Sequence, residues 1–144
     1  MIVKSFEGGY DKNFSYLIWC NKTNIASLID PSVDIAAIID AIKKYKLEFK
    51  SIFITHSHHD HFSYLKDFID IYPKINIYIN YKTEFQHSLV SYVKNNQKIT
   101  IGNEQITCIS TPGHFYDSMC FWNEKHNILF TGDTVFVGRT GRVV

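Results

Sequence analysis

Three cysteines and three prolines are all that 144 residues contain, too few for a disulfide framework or for proline-rich linkers. Cys20, Cys108 and Cys120 are odd in number and keep no C-x-x-C spacing, so they read as buried thiols of a reducing compartment, which places the protein in the cytoplasm. No segment reaches the roughly 18 uninterrupted apolar residues of a membrane span, and the opening MIVKSFEGGYD has no apolar stretch of the secretory kind. An excess of one charge is missing too: the formal net charge is +1, with no long run of like charges. Electrostatic recruitment to nucleic acid or to an anionic membrane is therefore not expected, and a small-molecule partner fits better. Arginine is the scarcest cation. Arg139 and Arg142 are the only two and lie within the last six residues, whereas the other 13 basic side chains are lysines spread along the chain.

What is present is an ordinary globular mixture, 45% apolar and 20% charged, with no repeats or low-complexity tracts. The length predicts one domain over 1–144, enough to bury roughly two-thirds of the unfolded surface. The first thirty residues read as a strand meander, IVKSF, FSYLIWC and NIASLID. Val33 to Lys46 then carries Ile35, Ile38, Ile39, Ile42 and Tyr45 at helical spacing, with Asp34 in the first turn and lysines in the last. SIFIT follows as a strand covered on both faces. A second helix is expected from about Asp60 to Tyr72, stopped by Pro73. INIYIN reads as a strand, Tyr81 to Lys94 as a short helix and a loop, and KITI, EQITCIST, SMCFWNE and NILFTGD as further strands. Strands, then alternation, then strands again give an α/β layered domain with a mixed sheet or two packed sheets.

Chemistry concentrates in FITHSHHDHFSYL, where His56, His58, His59 and His61 occupy six positions around Asp60. Imidazole is the commonest transition-metal ligand, and H-x-H-x-D-H spacing has no explanation in packing. The cluster follows a buried strand, where open α/β sheets build their sites. His56 and His58, two residues apart, can reach one ion from one side, while Asp60 and His61 point elsewhere and suit a second ion or a water. His59 falls out of phase with both pairs and is expected to be an exposed spectator. TPGH and TGD put His114 and Asp133 just after two later strands, so all can converge on one sheet edge. Scattered His87 and His126 carry no such signal.

Together, THSHHDH, TPGH and FTGDTVFVGRTGR, in this order and spacing, resemble the metallo-β-lactamase superfamily, nearest to its glyoxalase II-like (hydroxyacylglutathione hydrolase) branch; LIDP, ending at Asp30 and Pro31, resembles its first motif. The resemblance covers essentially the whole chain. It implies an αβ/βα sandwich with a metal at one edge. It also implies that His56, His58 and His114 bind a first ion, that Asp60 and His61 bind a second, that Asp133 bridges the two, and that Asp30 orients a ligand from behind.

In the family pattern one further histidine, on a later strand, completes the second site. This chain ends at Val144, eleven residues past Asp133, without one. The expectation is a sandwich incomplete in its second half, with a second ion bound weakly or not at all. Two readings of the short C-terminus stay open: a natural short form, or a truncated product whose edge a neighbouring copy covers as a homo-oligomer. Phe115, where the family carries a small hydroxyl residue, is expected to narrow the pocket.

The resemblance implies a metal-dependent hydrolase acting on a small thioester. Zinc would lower the pKa of a bound water to about 7, with Asp60 orienting that water and taking its proton. Arg139 and Arg142 offer a carboxylate-binding fork, or are simply a solvated terminal pair. Two alternatives stand beside hydrolysis. His56, His114 and Asp133 make a 2-His-1-carboxylate set, as in mononuclear iron dioxygenases acting on persulfides; the other alternative is a non-catalytic metal-binding remnant.

Overall fold

The computed structural model describes residues 1–10 and 12–144. Its first sheet has six strands in chain order: β1 (Ile2–Gly8), β2 (Asn13–Trp19), β3 (Ile25–Ile29), β4 (Glu48–Phe53), β5 (Asn76–Asn80) and β6 (Val90–Val93). The first three pair antiparallel and β3 through β6 pair parallel, so the meander and the alternating region join in one mixed sheet. The second sheet is wholly antiparallel, in the order β10 (Ile128–Phe130), β9 (Met119–Asn123), β8 (Glu104–Ser110) and β7 (Lys98–Ile101). A two-stranded ribbon, β11 (Val135–Phe136) with β12 (Arg139–Thr140), closes the chain.

Strand periodicity explains the layering. Along β2 and β3, Leu17 and Leu28 face the core shared with helices α1 (Ile35–Lys44) and α2 (Leu65–Ile71), whereas their neighbours Ile18 and Ile29 face the core shared with the second sheet. Around the end of β4 the alternation is complete: Ile52 and Ile54 point to the helices, Phe53 to the other sheet, and all three are fully buried. This is why SIFIT carries no polar face. Helix α1 buries Ile38, Ile39 and Ile42, and the Asp34 carboxylate caps it by accepting from the Ala36 amide. The result is a helix–sheet–sheet arrangement, the expected sandwich with both α-helices on the first sheet among the described residues.

Three expected boundaries are corrected. Asp34 caps α1 from outside rather than sitting in its first turn. The second helix starts at Leu65, not Asp60, because His59–His61 form a separate 3-10 turn that directs Asp60 and His61 toward the sheet edge. Tyr81 to Lys94 contains no helix; its last part is β6, which pairs parallel to β5. All three cysteines are free and buried, and no described helix is long and apolar enough to cross a membrane.

Phe53 ties the two sheets together, its ring edge-on to Phe121 of β9 at a centroid distance of 5.1 Å. Phe53→Ala is expected to cost about 3–5 kcal/mol by leaving a cavity between the layers, read as a lowered urea midpoint of the metal-free chain; an unchanged midpoint would refute the packing role.

Candidate metal centre

Strand β4 runs straight into the histidine loop, and Asp30 holds that loop in place. Asp30 follows β3 with φ +52°, a left-handed backbone that aspartate adopts more readily than most residues. The side chain is thereby brought across to β4. Its Oδ1 accepts from the Thr55 amide at 2.7 Å, and its Oδ2 accepts from the Thr55 hydroxyl at 2.6 Å and from His61 Nδ1 at 2.8 Å. With Asp30 buried, all these bonds form away from water, where they are strongest.

From these bonds the ring tautomers follow. The Thr55 hydroxyl gives its hydrogen to Asp30, so at 3.1 Å it can only accept from His56 Nδ1, and His56 Nε2 is left with a bare lone pair. His114 Nδ1 lies 2.7 Å from the Arg142 carbonyl, which can only accept, so in the neutral tautomer His114 Nε2 is the bare nitrogen. Both bare nitrogens face His58 Nδ1, at 3.1 and 3.0 Å. One Nδ1 carries at most one hydrogen and cannot satisfy both. A cation shared by the three rings would, and three imidazoles suit a divalent transition metal. Burial first, and then repulsion from His61, pushes His56 down to about 2, so the ring is neutral and ready to ligate. His58 is lowered too, by burial and then by His114.

A second constellation shares His56 and adds His61 and Asp133. His61 Nε2 is buried and makes no hydrogen bond, although Asp133 Oδ1 lies 3.3 Å away and Asp60 Oδ2 3.8 Å away. An orphaned imidazole nitrogen facing two carboxylates fits a cation. Burial opposes a charge on His61, but the Asp133 and Asp30 carboxylates outweigh it and raise the group to about 10. Asp133, whose burial works the other way, is brought below the ordinary carboxylate range by His61. In the metal-free chain a proton occupies His61, and an ion at this position displaces it.

The Asp133 loop is shaped by two glycines. Gly132 has φ +49° and packs on Thr55, where an added Cβ would lie 2.5 Å from the hydroxyl oxygen; a Cβ at Gly141 would lie 1.8 Å from the Asp133 carbonyl oxygen. The Thr111 and Thr134 hydroxyls, 2.9 Å apart, join this loop to the His114 loop.

The structure thus brings His56, His58, His61, His114, Asp60, Asp133 and Asp30 to one edge, with Asp60 on its rim. His59 is exposed, and Phe115 lies against His58 with ring centroids 4.2 Å apart. Both arginine side chains are exposed: Arg139 stacks over Phe136 at 5.0 Å, and Arg142 reaches His114 through its backbone rather than its guanidinium. Two contributors had no sequence signal. Asn13 donates to Asp60 Oδ2 at 2.8 Å, and Thr55 is the link between Asp30 and His56. Beside His61 and Asp133 a cavity of about 760 Å³ opens between the sheets, lined by Phe14, Tyr16, Phe130 and Val137 among others.

Because folding raises His61 from the ordinary value of about 6.5 to about 10, its contribution to stability is complete below about 6.5 and is lost as pH rises toward about 10. Urea midpoints of the metal-free wild type should therefore fall across that window relative to those of His61→Gln; parallel profiles would contradict the assignment.

Residues 8–144 match the family model described as metallo-beta-lactamase superfamily. Among curated relatives, a hydroxyacylglutathione hydrolase of Francisella tularensis subsp. novicida is 36% identical over 133 residues, 92% of this chain and 51% of that protein. A probable hydroxyacylglutathione hydrolase of Schizosaccharomyces pombe is 30% identical over 141 residues, 93% of this chain and 53% of that protein. The chain thus spans about half the length of the curated relatives it matches. Of solved structures, a metallo-beta-lactamase from Staphylococcus aureus superposes with a TM-score of 0.86 at 30% identity, covering 99% of this chain and 46% of that one. ETHE1 from Myxococcus xanthus superposes at 0.87 with 24% identity, covering 99% and 61%, a likeness of fold.

Proposed function

The chain belongs to the metallo-beta-lactamase superfamily, and from that premise we propose that it is a metal-dependent hydrolase of small thioesters of the hydroxyacylglutathione kind. The observation that carries this reading is the trio of imidazoles in which two bare nitrogens, on His56 and His114, face one nitrogen of His58. His56, His58 and His114 with Asp133 would hold a first ion, assigned as zinc, and Asp60, His61 and Asp133 would serve a second. The proton held on His61 would compete with an ion at the second position. An ion held there supplies Lewis acidity, acidifying a water and polarising a substrate carbonyl.

The chain's own residues arrange the rest. Asn13 pins Asp60 Oδ2, which fixes the plane of that carboxylate and leaves Oδ1 to take the proton of the attacking water. Asp30 and Thr55 hold His61 and His56 in orientation, so the polar groups are fixed before substrate arrives and need not reorganise during reaction. Phe115, packed against His58, closes one side of the approach and favours a slender acyl group. Arg139 and Arg142, exposed near the His114 loop, are assigned to a substrate carboxylate. The three free thiols support a reducing, cytoplasmic setting.

The test combines metal analysis of anaerobically purified protein with two assays, thiol release from S-lactoylglutathione and oxygen uptake with a persulfide. Zinc with thiol release is expected. Iron with oxygen uptake would transfer the assignment to the dioxygenase alternative, and bound metal without turnover in either assay would leave a metal-binding remnant. His114→Ala should lower turnover by more than the ~10–100-fold typical of groups behind the ligands, and His59→Ala should leave it unchanged; full activity in His114→Ala would refute the ligand assignment.

A further inference from the structure

Asp117 is fully buried, lies three residues after His114, and has no part in the reaction as described. Its Oδ1 accepts from the backbone amide of Ser57 at 3.2 Å. Ser57 is the residue between His56 and His58, so one carboxylate on the loop that carries the third imidazole grips the backbone that carries the first two. Beside it the Met119 amide donates to the Thr55 carbonyl at 2.8 Å, and the Ser118 hydroxyl accepts from the Phe115 amide at 3.1 Å. The segment 117–119 therefore fastens the start of β9, in the second sheet, along the histidine loop leaving β4 in the first. Of these contacts, the Asp117 bond is the side-chain contact made between the two ligand-bearing loops.

The second Asp117 oxygen, Oδ2, is buried without a hydrogen-bond partner. A carboxylate half-satisfied in a protein interior is costly, and a hydrophobic residue there would pack more favourably if filling space were the only requirement. We propose that Asp117 is a positioning residue for the metal centre: by accepting from the Ser57 amide it sets the spacing of His56 and His58 against His114 that one ion requires. The inference rests on the metal reading above. It concerns the chain before and during metal loading and involves no contact with substrate.

The experiment compares wild type, Asp117→Ala and Asp117→Asn. Zinc affinity is measured by chelator competition, the cobalt-substituted proteins are compared by visible absorption, and the thermal midpoints of the metal-free proteins report folding. Asp117→Ala removes the acceptor and should weaken zinc binding by about 10–100-fold while altering the cobalt spectrum. Asp117→Asn keeps an oxygen for the Ser57 amide and should bind within about threefold of wild type with the wild-type spectrum. In the metal-free wild type, measurable whether or not either variant folds, the Ser57 amide should be protected from hydrogen exchange although it lies in a loop. Zinc binding unaltered in Asp117→Ala, an Asp117→Asn loss as large as that of Asp117→Ala, or a freely exchanging Ser57 amide would each overturn the inference. A wild type that holds no zinc would overturn the site reading itself, an outcome distinct from the other three.

Discussion

The Asp30 carboxylate accepts from the Thr55 amide, the Thr55 hydroxyl and His61 Nδ1, and the whole strand edge takes its orientation from those three bonds. Once the Thr55 hydrogen is committed to Asp30, the tautomer of His56 is fixed, and its Nε2 must face outward as an acceptor. Once His61 Nδ1 is committed to Asp30, its Nε2 is the nitrogen left facing Asp133 and Asp60. A single buried carboxylate therefore prepares one histidine for each of the two ion positions. Its backbone contributes as well, since the Asp30 carbonyl accepts from Ser15 Oγ and anchors the residue between β2 and β3.

The two positions differ in how they are prepared. At the first, burial and then repulsion from His61 lower His56, and burial and then His114 lower His58, so on these two rings an ion meets little competition from protons. At the second a proton is held on His61 by two carboxylates, so an ion must displace it. This asymmetry comes from the electrostatics of the site and, on the proposed metal reading, would favour an ion at the first position over one at the second. The open cavity beside His61 and Asp133, bounded by the edge strand β10, lies on the side of the second position.

Much of this arrangement was legible in the sequence because clustered histidines and aspartates at strand ends stand out locally. The H-x-H-x-D-H spacing, TPGH and TGD each sit at a strand end, and strand ends on one side of a layered sheet converge. The strands themselves were readable from apolar alternation, including β4, whose unbroken SIFIT run reflects burial on both faces. What escaped were bonds between distant, ordinary residue types. Asn13 and Asp60 are 47 positions apart and Ser57 and Asp117 are 60 apart, and neither pair belongs to a motif. The start of α2 was misplaced because the helix-forming residues from Asp60 onward are first diverted into a 3-10 turn. The two-residue strands β11 and β12 are too short for periodicity to reveal, and β6 lay inside Tyr81 to Lys94, a stretch read as a short helix and a loop.

Anomalous diffraction at the zinc edge, from crystals of the zinc-loaded chain, tests the central claim most directly. The account predicts a strong peak in contact with His56 Nε2, His58 Nδ1 and His114 Nε2, and a weaker one or none beside His61 Nε2. A chain that crystallises from excess zinc with no peak among the three imidazoles would contradict it, as would a second site of equal strength beside His61.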